Sequence, residues 1–333
     1  MSLCSFCDFI VVCSSDILFM RHLNSLLEIQ PVDIEAMFSL ARELKALLAK
    51  GVRPQPLAGR VLTAVFEKPS LRTRLSFDAA MMQLGGSSIF LEAREAGIGG
   101  REAVKDVARV IGGYSDVIAL RTFSQKLIDN FIEFSGKPVI NGLSDERHPC
   151  QALTDLFTMQ EVFGDVRGRK IAFIGDGNNV ANSLAIAAAQ CGASFVVCAP
   201  QGYRLDDTFM RILKKRIPTA DVTQTDDFKT ALKDASIVYT DVWTSMGQEA
   251  EDSERRAVFG PFQVNSKLMK LAPKSARFMH CLPAKRGLEV TDEIMDGPQC
   301  LAFQQADNRM HLAKGVILWV LNVTIGGEQL ATR

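Results

Sequence analysis

Ser70-Leu71-Arg72-Thr73-Arg74 is the stretch of this chain best equipped for chemistry. It follows an apolar run from Arg60 to Phe66 that reads as a strand, and a short Glu67-Lys68-Pro69 turn. A helical pattern of Leu75, Ala79 and Met82 then runs on to Gly85-Gly86. Serine, threonine and two arginines therefore sit at a helix start. Unpaired backbone N–H groups and the positive end of the helix dipole favour an anion there. Arginine forks add bidentate donors that match phosphate oxygens. The stretch predicts a site for a small phosphorylated compound.

Other polar groups stand where strands give way to helices or loops. His148 precedes Pro149, which keeps it out of the α region and frees its ring to face a cleft. Gln151, three residues on, shares a helix face with it. Together they could hold an amide or carbamate, or His148 could simply cap the helix. Gly175-Asp176-Gly177-Asn178-Asn179-Val180 follows a strand and opens a helix, but Val180 stands where a dinucleotide fingerprint needs its third glycine. The next strand ends in Cys198-Ala199-Pro200, with no carboxylate for a ribose, so nicotinamide binding is disfavoured. Asn178 and Asn179 offer amide groups to a ligand or cap the helix. Asp241, at a strand end before Trp243-Thr244-Ser245-Met246-Gly247, is either an acceptor for an ammonium group or a turn residue. Gly247 lets that loop hinge. Gln248 to Asp252 reads as a solvated helix start. His280-Cys281-Leu282-Pro283 ends another strand, where Cys281 is a thiolate nucleophile or a buried thiol, with a binding or proton-relay role favoured. Arg309 is a further candidate cation.

The elements that must carry these groups alternate. An amphipathic helix over Val32 to Lys50 leads into strands at 60–66, 87–91, 117–120 and 138–141, with helices from Ser70, over 104–112 and over 126–134. A long helix from His148 to Phe163 joins this series to a second, with strands at 170–174, 195–198, 237–240 and 277–280 and helices at 179–191 and 208–216. A last helical run spans Leu312 to Leu321. The pattern predicts an α/β protein of two domains, each a parallel sheet flanked by helices, with the active-site cleft between them. Ligands bind beyond the carboxyl ends of such strands, where the groups named above lie, apart from Arg309, which precedes the last helical run.

The 333 residues are enough for two such domains, and 47% hydrophobic with 23% charged residues is a globular composition. Lys+Arg equals Asp+Glu, so nothing favours nucleic acid or an anionic membrane. No apolar run reaches the ~20 residues that cross a bilayer. The eight cysteines are scattered as in a reduced cytoplasmic protein, and Cys4 and Cys7 lack a second pair at zinc spacing. Residues 1–19 read as an extension outside the folded body, with disorder, a translated upstream stretch or a short targeting peptide as its readings.

Phe66 to Arg74, His148 to Gln151, Gly175 to Asn179, Asp241 to Gly247 and His280 to Pro283, taken in this order, resemble the aspartate/ornithine carbamoyltransferase family. The resemblance runs from about Met20 to the C-terminus. The Ser-Met-Gly loop and His-Cys-Leu-Pro look like its ornithine branch. It implies a carbamoyl-phosphate-binding domain at 20–150, with a C-terminal helix at 310–333 packing back on it, and an ornithine-binding domain at 151–309. It implies that Ser70, Arg72, Thr73 and the backbone of Leu71 hold the phosphate, and that Arg121, His148, Gln151 and Arg309 hold the carbamoyl group. Asn179, Asp241, Ser245 and Met246 would hold the α-amino and α-carboxylate groups of ornithine. Cys281 and Leu282 would flank the δ-amine, which attacks the carbamoyl carbon and yields citrulline. No metal or organic cofactor is implied. A homo-oligomer, a trimer with sites between subunits, is.

Two positions depart from the family's pattern. Leu71 stands where threonine is usual, which removes a hydroxyl and keeps the N–H. Gly97 stands where a glutamine or histidine reaches a neighbouring subunit's site, leaving Arg94 or Arg101 to compensate. A related amine such as an N-acylornithine or putrescine is the alternative acceptor. A close Ser-Met-Gly loop leaves little room for an acyl group. A phosphometabolite-binding regulator is the rival from another class.

Overall fold

The computed structural model describes residues 20–100 and 102–328. The extension at 1–19, Arg101 and the last residues from 329 lie outside the described residues.

The first half runs α1 (Pro31–Ala49), β1 (Val61–Phe66), α2 (Leu71–Gln83), β2 (Ser87–Glu92), α3 (Val104–Tyr114), β3 (Val117–Arg121), α4 (Gln125–Phe134) and β4 (Val139–Leu143). Its four strands form a parallel sheet in the order β2-β1-β3-β4. Helix α5 (Pro149–Phe163) leads into β5 (Lys170–Ile174), α6 (Asn179–Gln190), β6 (Ser194–Cys198), α7 (Asp207–Arg216), β7 (Val222–Thr225), α8 (Phe228–Leu232) and β8 (Ala235–Thr240). The chain ends with α9 (Asp252–Phe259), α10 (Ser266–Met269), β9 (Arg277–His280), α11 (Asp292–Met295) and α12 (Ala302–Leu321). The second sheet is also parallel, in the order β7-β6-β5-β8-β9.

Central strands such as β1 and β3 are apolar but for Thr63 and the terminal Arg121, because helices cover both faces. In each sheet the chain first winds one way and then the other. The reversal falls between β1 and β3 in the first sheet and between β5 and β8 in the second. Loops diverge at such switch points and leave a crevice at the carboxyl ends of the strands.

Helix α12 packs on α1, α2 and α5, so the last long element returns to the first half. Gly315 lets it approach α1 closely, because a Cβ there would lie 2.3 Å from the Met37 carbonyl oxygen. The helix begins ten residues earlier than its apolar run suggests, and a boundary at 309/310 falls inside it. Its first turns carry Gln305, Asn308 and Arg309, which break the hydrophobic period yet are buried. Strand β7 and helix α8 are absent from the sequence pattern because Val222–Thr225 is a short, half-buried edge strand with three polar residues. The 248–252 stretch forms a 3-10 turn, Glu249–Glu251, that runs into α9. No helix among the described residues is long and apolar enough to cross a membrane.

Candidate active site

The two switch points face each other across one cleft of about 1320 Å³. Every site residue expected from the sequence lines it: Ser70, Leu71, Arg72, Thr73, Arg121, His148, Gln151 and Arg309 from the first half, α5 and α12, and Asn179, Asp241, Ser245, Met246, Cys281 and Leu282 from the second half.

The first wall is cationic. Ser70 is the N-cap of α2, and its hydroxyl accepts from the Thr73 N–H at 3.2 Å. Arg72 projects from the first turn of that helix, and Arg121 closes β3 beside it. Arg309 donates to the Thr73 hydroxyl at 3.1 Å and to the Gln151 side-chain oxygen. Burial lowers the Arg121 pKa to about 10, and the neighbouring charges of Arg309 and Arg72 add to the effect. Arg72 and Arg309 are lowered in the same direction, first by burial. Three guanidinium groups held close, with no salt bridge to a carboxylate among the described residues, favour an incoming anion. The buried Nε of Arg121, Nε of Arg309 and Nδ1 of His148 have no hydrogen-bond partner among the described residues. Such groups are costly unless something else takes the bond.

His148 is the N-cap residue of α5 but makes no side-chain cap bond, so the capping alternative drops out. Its backbone N–H donates to the Ser183 hydroxyl at 2.7 Å. Burial, and then the charges of Arg309, Arg121 and Arg72, push its pKa well below the usual value. The imidazole is neutral at physiological pH and can donate one hydrogen bond without adding charge.

The opposite wall carries a carboxylate. Asp241 is buried, which removes the surface-turn alternative. It accepts from the Cys281 thiol at 2.9 Å, the Val242 N–H at 2.8 Å and the Asn178 amide at 3.0 Å. Asn178 also caps α6 through the Val180 and Ala181 N–H groups. Asn179 instead donates to the Ser144 carbonyl at 2.6 Å, which ties the two halves together and leaves its own oxygen for a ligand. Burial, then the Asp241 charge, pushes the Cys281 pKa well above that of a free thiol. Cys281 is therefore a thiol donor and not a thiolate nucleophile. Leu282 has φ +58°, a conformation costly for a branched side chain, and its N–H donates to His280 Nδ1 at 2.9 Å.

Asp241, His280 and Cys281 bring donor atoms within 4.8 Å of one another, the spacing a metal ion could use. The Cys281 thiol donates a hydrogen bond to Asp241, while His280 accepts from the Leu282 N–H at Nδ1 and turns Nε2 toward Glu289 at 3.4 Å. The donor atoms of all three are thus already engaged by protein groups.

Several residues outside the expected site set shape the cleft. Lys68, buried, pairs with Asp145 and lies 4.3 Å from the centre of the Phe123 ring. Arg255 joins Asp176 at 2.7 Å to the Trp243 carbonyl at 3.0 Å, holding two cleft loops together. Asp155 sits beneath Gln151, one turn along α5. The one available signal for it was a carboxylate set between the apolar Leu153 and Leu156-Phe157 of the helical run.

Residues 21–161 match the carbamoyl-phosphate-binding domain of the aspartate/ornithine carbamoyltransferase family, and residues 167–320 match that family's Asp/Orn-binding domain. The chain belongs to this family and is a carbamoyltransferase. It is 46% identical over 291 residues to the ornithine carbamoyltransferase of Anoxybacillus flavithermus, covering 87% of this chain and 93% of that one. It is 45% identical over 307 residues to the Bacillus subtilis ornithine carbamoyltransferase, covering 91% and 95%. The solved structure of ornithine carbamoyltransferase from Pyrococcus furiosus superposes with a TM-score of 0.88 at 42% identity, covering 91% of this chain and 98% of that one.

Proposed function

We propose that the protein is an ornithine carbamoyltransferase, converting carbamoyl phosphate and L-ornithine to L-citrulline and phosphate. One observation carries this reading: a cationic wall of Arg72, Arg121 and Arg309 stands across a single cleft from the buried carboxylate of Asp241. The first suits a phosphorylated donor and the second an amino-acid ammonium group. The relatives' names point the same way.

In this scheme Ser70, Arg72, Thr73 and the Leu71 N–H hold the phosphate at the start of α2. Leucine at 71 costs a hydroxyl but leaves the N–H that a helix start offers. Arg121, His148, Gln151 and Arg309 surround the carbamoyl group and the bridging oxygen. Asp241 binds the α-ammonium, while Asn179, Ser245 and Met246 complete the ornithine site. Cys281 and Leu282 border the δ-amine.

The neutral δ-amine attacks the carbamoyl carbon, and negative charge gathers on the carbonyl oxygen. Preorganised donors from Arg121, His148 and Thr73 stabilise it. The bond from carbon to the bridging oxygen then breaks, phosphate departs, and the amine proton goes to that phosphate. Nearby guanidinium charges favour the neutral amine before attack. Holding both reactants in line is worth up to ~7–11 kcal/mol in favourable cases. Residues 20–150 with the C-terminal segment from 310 form the donor domain in this scheme, and 151–309 the acceptor domain.

The test is a citrulline assay with carbamoyl phosphate against ornithine, N-acetylornithine and putrescine. Ornithine is expected to be carbamoylated with kcat/KM at least about 100-fold above the others, because N-acetylornithine blocks the α-ammonium that Asp241 binds and putrescine lacks the α-carboxylate. Preference for either analogue would assign the protein to that acceptor.

The assembly is proposed to be a trimer in the cytoplasm. Helix α2 leaves Leu71, Leu75 and Met82 at 69%, 58% and 67% exposure, and Ile89 lies beside them on the open edge strand β2. An apolar face next to an unpaired strand edge suits a subunit contact. Light scattering is expected to give the mass of three chains, and a monomer mass would refute it.

A further inference from the structure

Asp155 is a fully buried carboxylate that the proposed chemistry does not use. It accepts three hydrogen bonds: from Gln151 Nε2 at 2.7 Å, Gln305 Nε2 at 2.5 Å and the Tyr239 hydroxyl at 3.0 Å. These come from its own helix α5, from α12 and from β8. Both glutamines are themselves buried.

The consequence lies in amide geometry. An ionised carboxylate can only accept, so a glutamine beside it must turn its NH2 inward. Its oxygen then faces away. For Gln151 the oxygen meets Arg309, which in turn donates to Thr73. For Gln305 the oxygen accepts from the His280 N–H at 3.1 Å, at the end of the strand that leads to Cys281. One carboxylate thereby reaches both walls of the cleft.

We propose that Asp155 is a positioning residue that determines which way round the Gln151 and Gln305 amides lie and so aligns Arg309 on one wall with the His280-Cys281 strand end on the other. This rests on the carbamoyl-transfer reading of the cleft. Burial pushes the Asp155 carboxyl up to about 7, against the downward pull of its hydrogen-bond donors and of the Arg309 charge. An acid this close to neutrality depends on those donors to stay ionised, and their bonds in turn depend on it.

Asparagine and leucine at this position separate the roles. In Asp155→Asn the amide oxygen can accept from both glutamines while its NH2 donates to Tyr239. Asp155→Leu supplies no acceptor, and both amides are free to reverse. Asp155→Asn is expected to retain kcat/KM for carbamoyl phosphate within about threefold, and Asp155→Leu to lose about 30- to 100-fold, mainly in kcat. A double-mutant cycle with Gln151→Ala reads the route. Asp155→Leu is expected to cost less in the Gln151→Ala background than in the wild type, the remaining loss passing through Gln305. A merely structural role would give equal losses in both backgrounds, and that outcome overturns the proposal, as does an Asp155→Leu variant within about threefold of wild type. If Asp155→Leu fails to fold by circular dichroism, Gln151→Glu probes the contact from the other side. It faces carboxylate against carboxylate, so adding Asp155→Asn is expected to recover activity, and no recovery overturns the proposal. A wild-type protein that carbamoylates none of ornithine, N-acetylornithine and putrescine would overturn the carbamoyl-transfer reading instead.

Discussion

Arg72→Ala is expected to lower kcat/KM for carbamoyl phosphate by about 10³-fold or more, equivalent to about 4 kcal/mol. Arg72 stands in the first turn of α2, where the backbone donors and the helix dipole already point at the cleft. Burial depresses its pKa, while the nearby Cys281 and Asp241 act to raise it. A half-buried guanidinium beside Arg121 and Arg309 is costly to maintain without an anion, so the ligand's phosphate gains what the empty cluster lacks. Its fork can bind two phosphate oxygens at once, and it neutralises the charge that the leaving phosphate acquires. Arg72→Lys keeps a point charge but loses the fork, so partial recovery is expected from it. Steady-state citrulline formation at saturating ornithine, with carbamoyl phosphate varied, measures both. Loss of less than about tenfold in the alanine variant would detach Arg72 from the reaction.

Asp241→Asn is expected to raise the KM for ornithine by about 100- to 1000-fold while leaving the KM for carbamoyl phosphate nearly unchanged. Asparagine has nearly the same shape, but one of its two positions becomes a donor. Asp241 currently accepts from Cys281, Val242 and Asn178, and an amide cannot serve all three and an ammonium as well. Breaking a buried charge pair on one side costs about 2–5 kcal/mol, because the ammonium is left desolvated without its counter-charge. Equal changes in the two KM values would indicate general damage to the cleft. An unchanged ornithine KM would remove Asp241 from the acceptor site.

The residues of the cleft differ in how openly the sequence displays them. Ser70 to Thr73 are contiguous, and a strand, a turn and a helix start suffice to define what surrounds them. His148 carries its own constraint in Pro149. The roles of Asn178 and Asn179 could not be separated by inspection: one caps α6 and steadies Asp241, while the other reaches across to Ser144. Cys281 was open between nucleophile and buried thiol until its neighbours were known. Arg309 read as a residue before the last helix because the buried polar side chains around it interrupt the apolar period.

Local order along the chain is thus enough to declare alternating strands and helices, two parallel sheets and the polar groups at their ends, since hydrophobic period and helix-start chemistry act over a few residues. Long-range packing alone decided that both switch points open on the same cleft and that α12 returns across α1 and α2. It also decided that Asp155, Tyr239 and Gln305, 66 to 150 positions apart, meet in one hydrogen-bonded cluster. No local rule encodes such meetings, because a buried carboxylate finds its donors through the way whole elements pack.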